Sequence, residues 1–182
     1  MASGRGFARR IDARRDATPL LPWFAAGLGA GLITAWVEHA QIGAQGADFA
    51  LGPIERLLVF GRAAWFYFGK LLWPADLVFI YPRWTIDATQ AWQWLFPLGL
   101  GAALAALWWD RNRNRGPLAA ALFFGGTLFP ALGLVNVFPF VYSYVADHFQ
   151  YVACLGVFAL AAATGARLMR DRAPALRRTA GI

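Results

Sequence analysis

Four stretches of the chain are almost free of charge over the length that crosses a bilayer. A helix spanning the hydrocarbon core needs about 20 mostly apolar residues. Residues 18–37 (TPLLPWFAAGLGAGLITAWV), 91–109, 118–137 and 149–168 (FQYVACLGVFALAAATGARL) meet that length and predict four spanning helices. Gly27, Gly29 and Gly31 in the first permit close helix packing. Pro97 stands near the start of the second, and Pro130 inside the third removes a backbone hydrogen bond and predicts a kink. A fifth stretch, 54–73 (IERLLVFGRAAWFYFGKLLW), is different, because Arg56, Arg62 and Lys70 interrupt it. Arg62 at the bilayer centre would cost about 2.5–3.5 kcal/mol or more. Its one-sided apolar pattern predicts an amphipathic helix in the membrane interface, with a re-entrant or spanning path as the alternative.

The fold class expected is therefore all-α: a polytopic membrane helical bundle of four spanning helices plus one interfacial or re-entrant helix. The transmembrane domain covers 18–168, between a basic segment at 1–17 and a basic tail at 169–182. Composition agrees, since 59% of the 182 residues are hydrophobic and only 15% are charged, against about 45–50% apolar in an ordinary soluble domain. The net charge is +7, from 17 basic and 10 acidic residues. Such a balance suggests nucleic acid until the cations are placed. Five arginines precede the first span, three lie in DRNRNRG (110–116), and the tail RLMRDRAPALRR follows the fourth. With four spans, all three segments fall on one side, as the positive-inside rule requires. Topology thus accounts for the charge, both termini are expected in the cytoplasm, and no nucleic-acid partner is expected.

Polar groups on the opposite side are the candidate chemistry. Glu38 and His39 end the first span. In GKLLWPADLVFIYPRW (69–84), Lys70 and Arg83 stand where the positive-inside rule disfavours cations, and an arginine fork or a lysine point charge suits a phosphate. Trp73, Tyr81 and Trp84 also fit an aromatic belt at the headgroups. In YSYVADHFQY (142–151), helical spacing would put Tyr144, His148 and Tyr151 on one face and Ser143, Asp147 and Gln150 on the next. Asp147 is a candidate to pair with Lys70 or Arg83 or to act on a substrate hydroxyl, and His148 to move a proton near neutral pH. The plainer alternative is that Asp147 caps the fourth helix. The two histidines and the single cysteine, Cys154, are too far apart to suggest a metal site, and Cys154 reads as a buried structural thiol. No phosphate-cradling glycine loop or nucleophile triad is recognisable, and no cofactor is expected.

The segments GKLLWPADLVFIYPRW and NVFPFVYSYVADHFQYVACLG, with WVEH (36–39) and ERLLVFGRAAWFYFGK (55–70), resemble the membrane region of bacterial multi-span proteins that carry C-terminal tetratricopeptide repeats. These are similar to the transmembrane and tetratricopeptide-repeat O-mannosyltransferases of the GT-C glycosyltransferase superfamily. The resemblance runs from about Pro19 to Ala166. It implies a bacterial inner-membrane protein that transfers a sugar from a polyprenyl-phosphate donor at the outer face. A carboxylate would activate the acceptor, and cations would hold the leaving phosphate. On that pattern the catalytic candidates are Asp147, His148 and Glu38, and the donor-phosphate candidates are Lys70, Arg83, Tyr81 and Tyr144. The family places its catalytic acid in the first outer loop of a longer set of spans, so the chain is expected to be the C-terminal half of such a membrane domain. The N-terminal half and the repeats would then be partners, beside the bilayer and the lipid-linked sugar. The alternatives are a non-catalytic membrane module that binds lipid or partner helices, and a transporter.

Overall fold

The structure is a computed structural model, and it describes residues 18–37, 40 and 50–179. All regular structure among them is helical, without a strand. The helices are α1 (Leu21–Val37), α2 (Pro53–Leu72), α3 (Leu95–Asp110), α4 (Gly116–Leu128) and α5 (Cys154–Thr179). Short 3-10 turns form at Thr18–Leu20, Ala91–Trp94, Phe129–Ala131, Phe138–Val141 and Asp147–Gln150. The basic segment 1–17 and the candidates Glu38 and His39 lie outside the described residues.

Local chemistry sets the limits of α2. Pro53 occupies its first turn, where a missing N–H costs nothing, and the Gly52 N–H donates to Glu55 Oε2 at 2.7 Å, half of a capping box. At the other end the Trp73 N–H donates to the Gly69 carbonyl, and Pro74 prevents another turn. Between these ends, Val59, Ala63 and Tyr67 recur every fourth residue and are all 0% exposed. The one-sided apolar pattern is therefore real, but the stripe is buried against protein. Ala63 and Tyr67 pack with Phe124 and Leu128 of α4, Leu132, Val145 and Ala153. Val59 packs with Phe140 and Tyr144.

Two close helix contacts frame this core. A Cβ on Gly61 would stand 2.4 Å from the Pro97 nitrogen, so only glycine lets α3 approach α2 this closely. The Trp65 indole N–H also crosses that contact and donates to the Phe96 carbonyl at 3.0 Å. Where α4 meets α5, a Cβ on Gly156 would fall 2.8 Å from Phe123 Cδ1.

The helices depart from the four predicted spans in specific ways. Among the described residues, only Ala91–Asp110, the turn at 91–94 plus α3, is long and apolar enough to cross a membrane. Residues 18–34 and 116–131 form shorter apolar helices. The expected third span, 118–137, stops being α-helical after Leu128. Pro130 cannot extend the hydrogen-bond ladder, and Gly133 turns into the left-handed region with φ +89°. A Cβ on Gly133 would also strike Val59 Cγ1, 2.4 Å away. Arg56 fixes the departing chain by donating to Asn136 Oδ1 at 2.8 Å and to the Gly133 and Leu134 carbonyls at 3.5 Å. The expected fourth span, 149–168, begins late because Asp147–Gln150 is a 3-10 turn and α5 starts at Cys154. Asp147 caps nothing there, since its carboxylate is engaged by residues 78 and 81.

The tight α2–α3 crossing gives the first test. Gly61→Ala should lower stability by about 1–3 kcal/mol, the usual cost of overpacking a tight contact. Gly101→Ala, on α3 where an added Cβ meets nothing within 4 Å, should be neutral or mildly stabilising. Denaturant unfolding of both variants in detergent micelles, followed by far-ultraviolet circular dichroism, checks this. Equal stabilities would show that Gly61 does not set the helix spacing.

Candidate functional site

Residues 73–80 leave α2 as a loop between Pro74 and the Tyr81-Pro82 pair. Asp76 within it takes φ +51°, a left-handed conformation that a non-glycine residue holds only with support. That support comes from three side chains. Lys70, in the last turn of α2, donates its ammonium hydrogens to the Ala75 carbonyl and, at 3.2 Å, to the Asp76 carbonyl. The same ammonium lies 5.2 Å from the centre of the Tyr81 ring. Asp147 Oδ2 accepts the Val78 N–H at 2.8 Å. The Tyr81 hydroxyl lies 2.9 and 3.1 Å from the two Asp147 oxygens and 3.0 Å from the Asp76 carbonyl, so its one proton is shared among acceptors. The Ala146 N–H, next in the chain to Asp147, donates to the buried Tyr67 hydroxyl at 3.1 Å.

This knot closes one side of an open cleft of about 510 Å³. Leu71, Leu77 and Phe158 give it apolar walls, while Lys70, Asp147, His148 and Gln150 give it a polar end. His148 is sandwiched between aromatics, stacked on Phe79 at 4.7 Å and set edge-on to Phe149 at 4.5 Å. Two polar atoms at this end are unsatisfied. His148 Nδ1 and Gln150 Oε1 are buried without a hydrogen-bond partner, and Gln150 is only 8% exposed. A buried polar atom left unpaired costs about 1–3 kcal/mol, so their retention beside a cleft is chemically meaningful. An apolar wall ending in a buried amide oxygen and imidazole nitrogen, beside the opposite charges of Lys70 and Asp147, suits an amphiphile with hydroxyls on its head.

The candidates inferred from sequence divide between two places. Lys70, Asp147 and His148 line the cleft, and Tyr81 joins them through its hydroxyl contact with Asp147 without lining it. Arg83 and Tyr144 do not line it. The Arg83 guanidinium instead lies 5.1 Å from the centre of the Tyr144 ring, and Tyr144 is buried against Val59 and Phe140. The predicted shared face of Tyr144, His148 and Tyr151 does not exist, because that stretch is not a helix and Tyr151 is exposed. Cys154 is half-buried, and its thiol donates to the Tyr151 carbonyl at 2.9 Å.

Gln93 carries no signal in the sequence, while Gln150 reads only as part of a polar face and Arg62 only as a cost to a spanning helix. Gln93 is 2% exposed and pins the 85–90 turn, accepting the Asp87 N–H and donating to the Thr85 carbonyl, both at 3.2 Å. In that turn the hydroxyl and amide of Thr89 hold the Asp87 carboxyl below the usual carboxylate range. Arg62 sits among aromatic rings in a smaller cleft, with Trp65, Phe66, Trp84 and Phe96. Among the described residues, no group of three His, Cys, Asp or Glu side chains is placed to hold a metal ion.

Removing the Asp147 carboxylate should release the loop while leaving the helices folded. In Asp147→Ala, amide hydrogen exchange at Val78 should accelerate about tenfold or more, the loss of one charge-assisted hydrogen bond. Unchanged exchange at Val78 would contradict the assignment of the knot. No family model matches the sequence, no curated protein does, and no solved structure matches the fold.

Proposed function

We propose that the chain is a membrane-embedded helical module that holds a lipid-linked sugar in the cleft beside residues 73–80, as part of a GT-C-like glycosyltransferase. Membrane embedding is supported by the large side chains left on the surface. Trp23 and Phe24 on α1, Trp109 on α3, Leu122 on α4 and Leu155 on α5 are all exposed, far beyond the scattered apolar residues of a soluble surface. The observation that carries the ligand is the pair of buried, unpartnered atoms, His148 Nδ1 and Gln150 Oε1, at the polar end of an apolar cleft. A prenyl chain suits the walls at Leu71 and Phe158, and sugar hydroxyls suit the unpaired acceptors.

In the transfer step, an acceptor hydroxyl oxygen bonds to the anomeric carbon as the bond from that carbon to the phosphate oxygen breaks. The proton passes to Asp147, and the polyprenyl phosphate leaves with the electron pair, opposite Lys70. The fragment reading inferred from the resemblance implies that a further membrane half supplies the rest of the site. The non-catalytic reading has its own support. Lys70 and Asp147 are already bonded to the 73–80 loop, so both are explained as structural groups that shape a binding cleft.

The test is binding of farnesyl-phosphate mannose to the protein in nanodiscs, by calorimetry. Wild type should bind, and Gln150→Leu and His148→Ala should each weaken binding about tenfold, the value of one buried hydrogen bond. No binding by wild type, or unchanged binding in both variants, would overturn the cleft as the site. Binding without transfer of mannose to a Ser/Thr peptide and the accompanying release of farnesyl phosphate would favour the non-catalytic module.

A further inference from the structure

We propose that Arg62 forms a second ligand site, separate from the cleft, which takes the phosphate of a membrane phospholipid headgroup. Arg62 sits near the middle of α2, about 12 Å along the helix axis before Lys70. Its guanidinium lies 4.3 Å from the ring centre of Trp84, 5.5 Å from that of Trp92 and 5.9 Å from that of Phe96. Three aromatic rings thus fix a cation on the wall of a cleft of about 270 Å³.

The rings satisfy only part of this group. A guanidinium stacks through its faces, while its five N–H donors lie in its plane and form a fork that matches phosphate. The other two cations of α2, Arg56 and Lys70, donate to protein acceptors. Among the described residues, Arg62 has neither an acidic partner nor a hydrogen-bond acceptor. Cation–π contact supplies about 0.5–2 kcal/mol through the faces of the group and leaves the in-plane donors for an anion to accept from.

The surroundings favour a lipid as the source of that anion. Next to the rings, α3 presents Leu95 and Leu98, 68% and 65% exposed. Trp65 in the cleft and Trp92 beside the Arg62 guanidinium are also exposed, the arrangement of aromatic side chains at a headgroup level. A phosphate on Arg62 would leave its acyl chains along this apolar face. The inference rests on the membrane reading but not on the sugar cleft, and it gives a role to the cation near the middle of α2.

Dihexanoyl phosphatidic acid, used below its micellar concentration, is the probe. It is titrated by calorimetry into the protein in maltoside micelles, with inorganic phosphate in a parallel titration. Wild type should bind the lipid, more tightly than inorganic phosphate. Arg62→Gln should weaken lipid binding at least about tenfold. Arg62→Lys keeps the charge and protects against misfolding, and it should lose part of the affinity because an ammonium lacks the planar fork. Arg83→Gln should bind as wild type does. Absence of lipid binding in wild type, or a loss in Arg83→Gln but not in the Arg62 variants, would overturn the site. Phosphate binding as tight as lipid binding would overturn the lipid source. Farnesyl-phosphate mannose should not compete, so failure of the sugar cleft and failure of the Arg62 site are separable.

Discussion

The hydroxyl of Tyr67 accepts the Ala146 N–H at 3.1 Å, at a point where both residues are buried. An amide enclosed in this way must have an acceptor. Tyr67 supplies it from the stripe of α2 that also buries Val59 and Ala63. That constraint draws the whole 140–153 segment onto α2. Asp147 follows Ala146 directly, so the same bond carries its carboxylate to the Val78 amide and the Tyr81 hydroxyl. The position of the cleft, the shape of the 73–80 loop and the late start of α5 all descend from this one anchoring.

The dependence also explains which features could be read from sequence. The stretch 91–109 appears as the turn and helix Ala91–Asp110, and 54–73 as α2 at Pro53–Leu72. In both, side-chain pattern and backbone capacity agree. In 118–137 and 149–168 they disagree. Hydropathy counts side chains and is blind to Pro130, to the left-handed Gly133 and to an aspartate whose partner lies 69 residues away. The apolar stripe of α2 was legible, but periodicity cannot say whether a stripe meets lipid or protein. Here the stripe of α2 meets protein, with Val59, Ala63 and Tyr67 all 0% exposed.

The site was legible to a similar degree. Lys70, Tyr81, Asp147 and His148 stood out because ionisable and hydroxyl groups are rare in so apolar a chain, and the fold brings them together. Arg83 and Tyr144 carried the same signal and ended in another contact. Gln150 carried less signal because an uncharged amide is unremarkable until it is buried without a partner. Arg62 was read as a cost to a spanning helix. Its neighbours Trp84, Trp92 and Phe96 are 22 to 34 residues away in sequence, so only the folded chain gathers them into a cage.

The most direct test of this account is therefore Tyr67→Phe, which keeps the ring and removes the acceptor. The measurement is equilibrium unfolding in micelles combined with hydrogen exchange. Leaving the Ala146 N–H unpaired should cost about 1–3 kcal/mol. Exchange should rise at Ala146 and also at Val78, whose N–H donates to the carboxylate of the adjoining Asp147. Unchanged stability, or faster exchange at Ala146 with Val78 unaffected, would contradict the claim that this bond places the cleft.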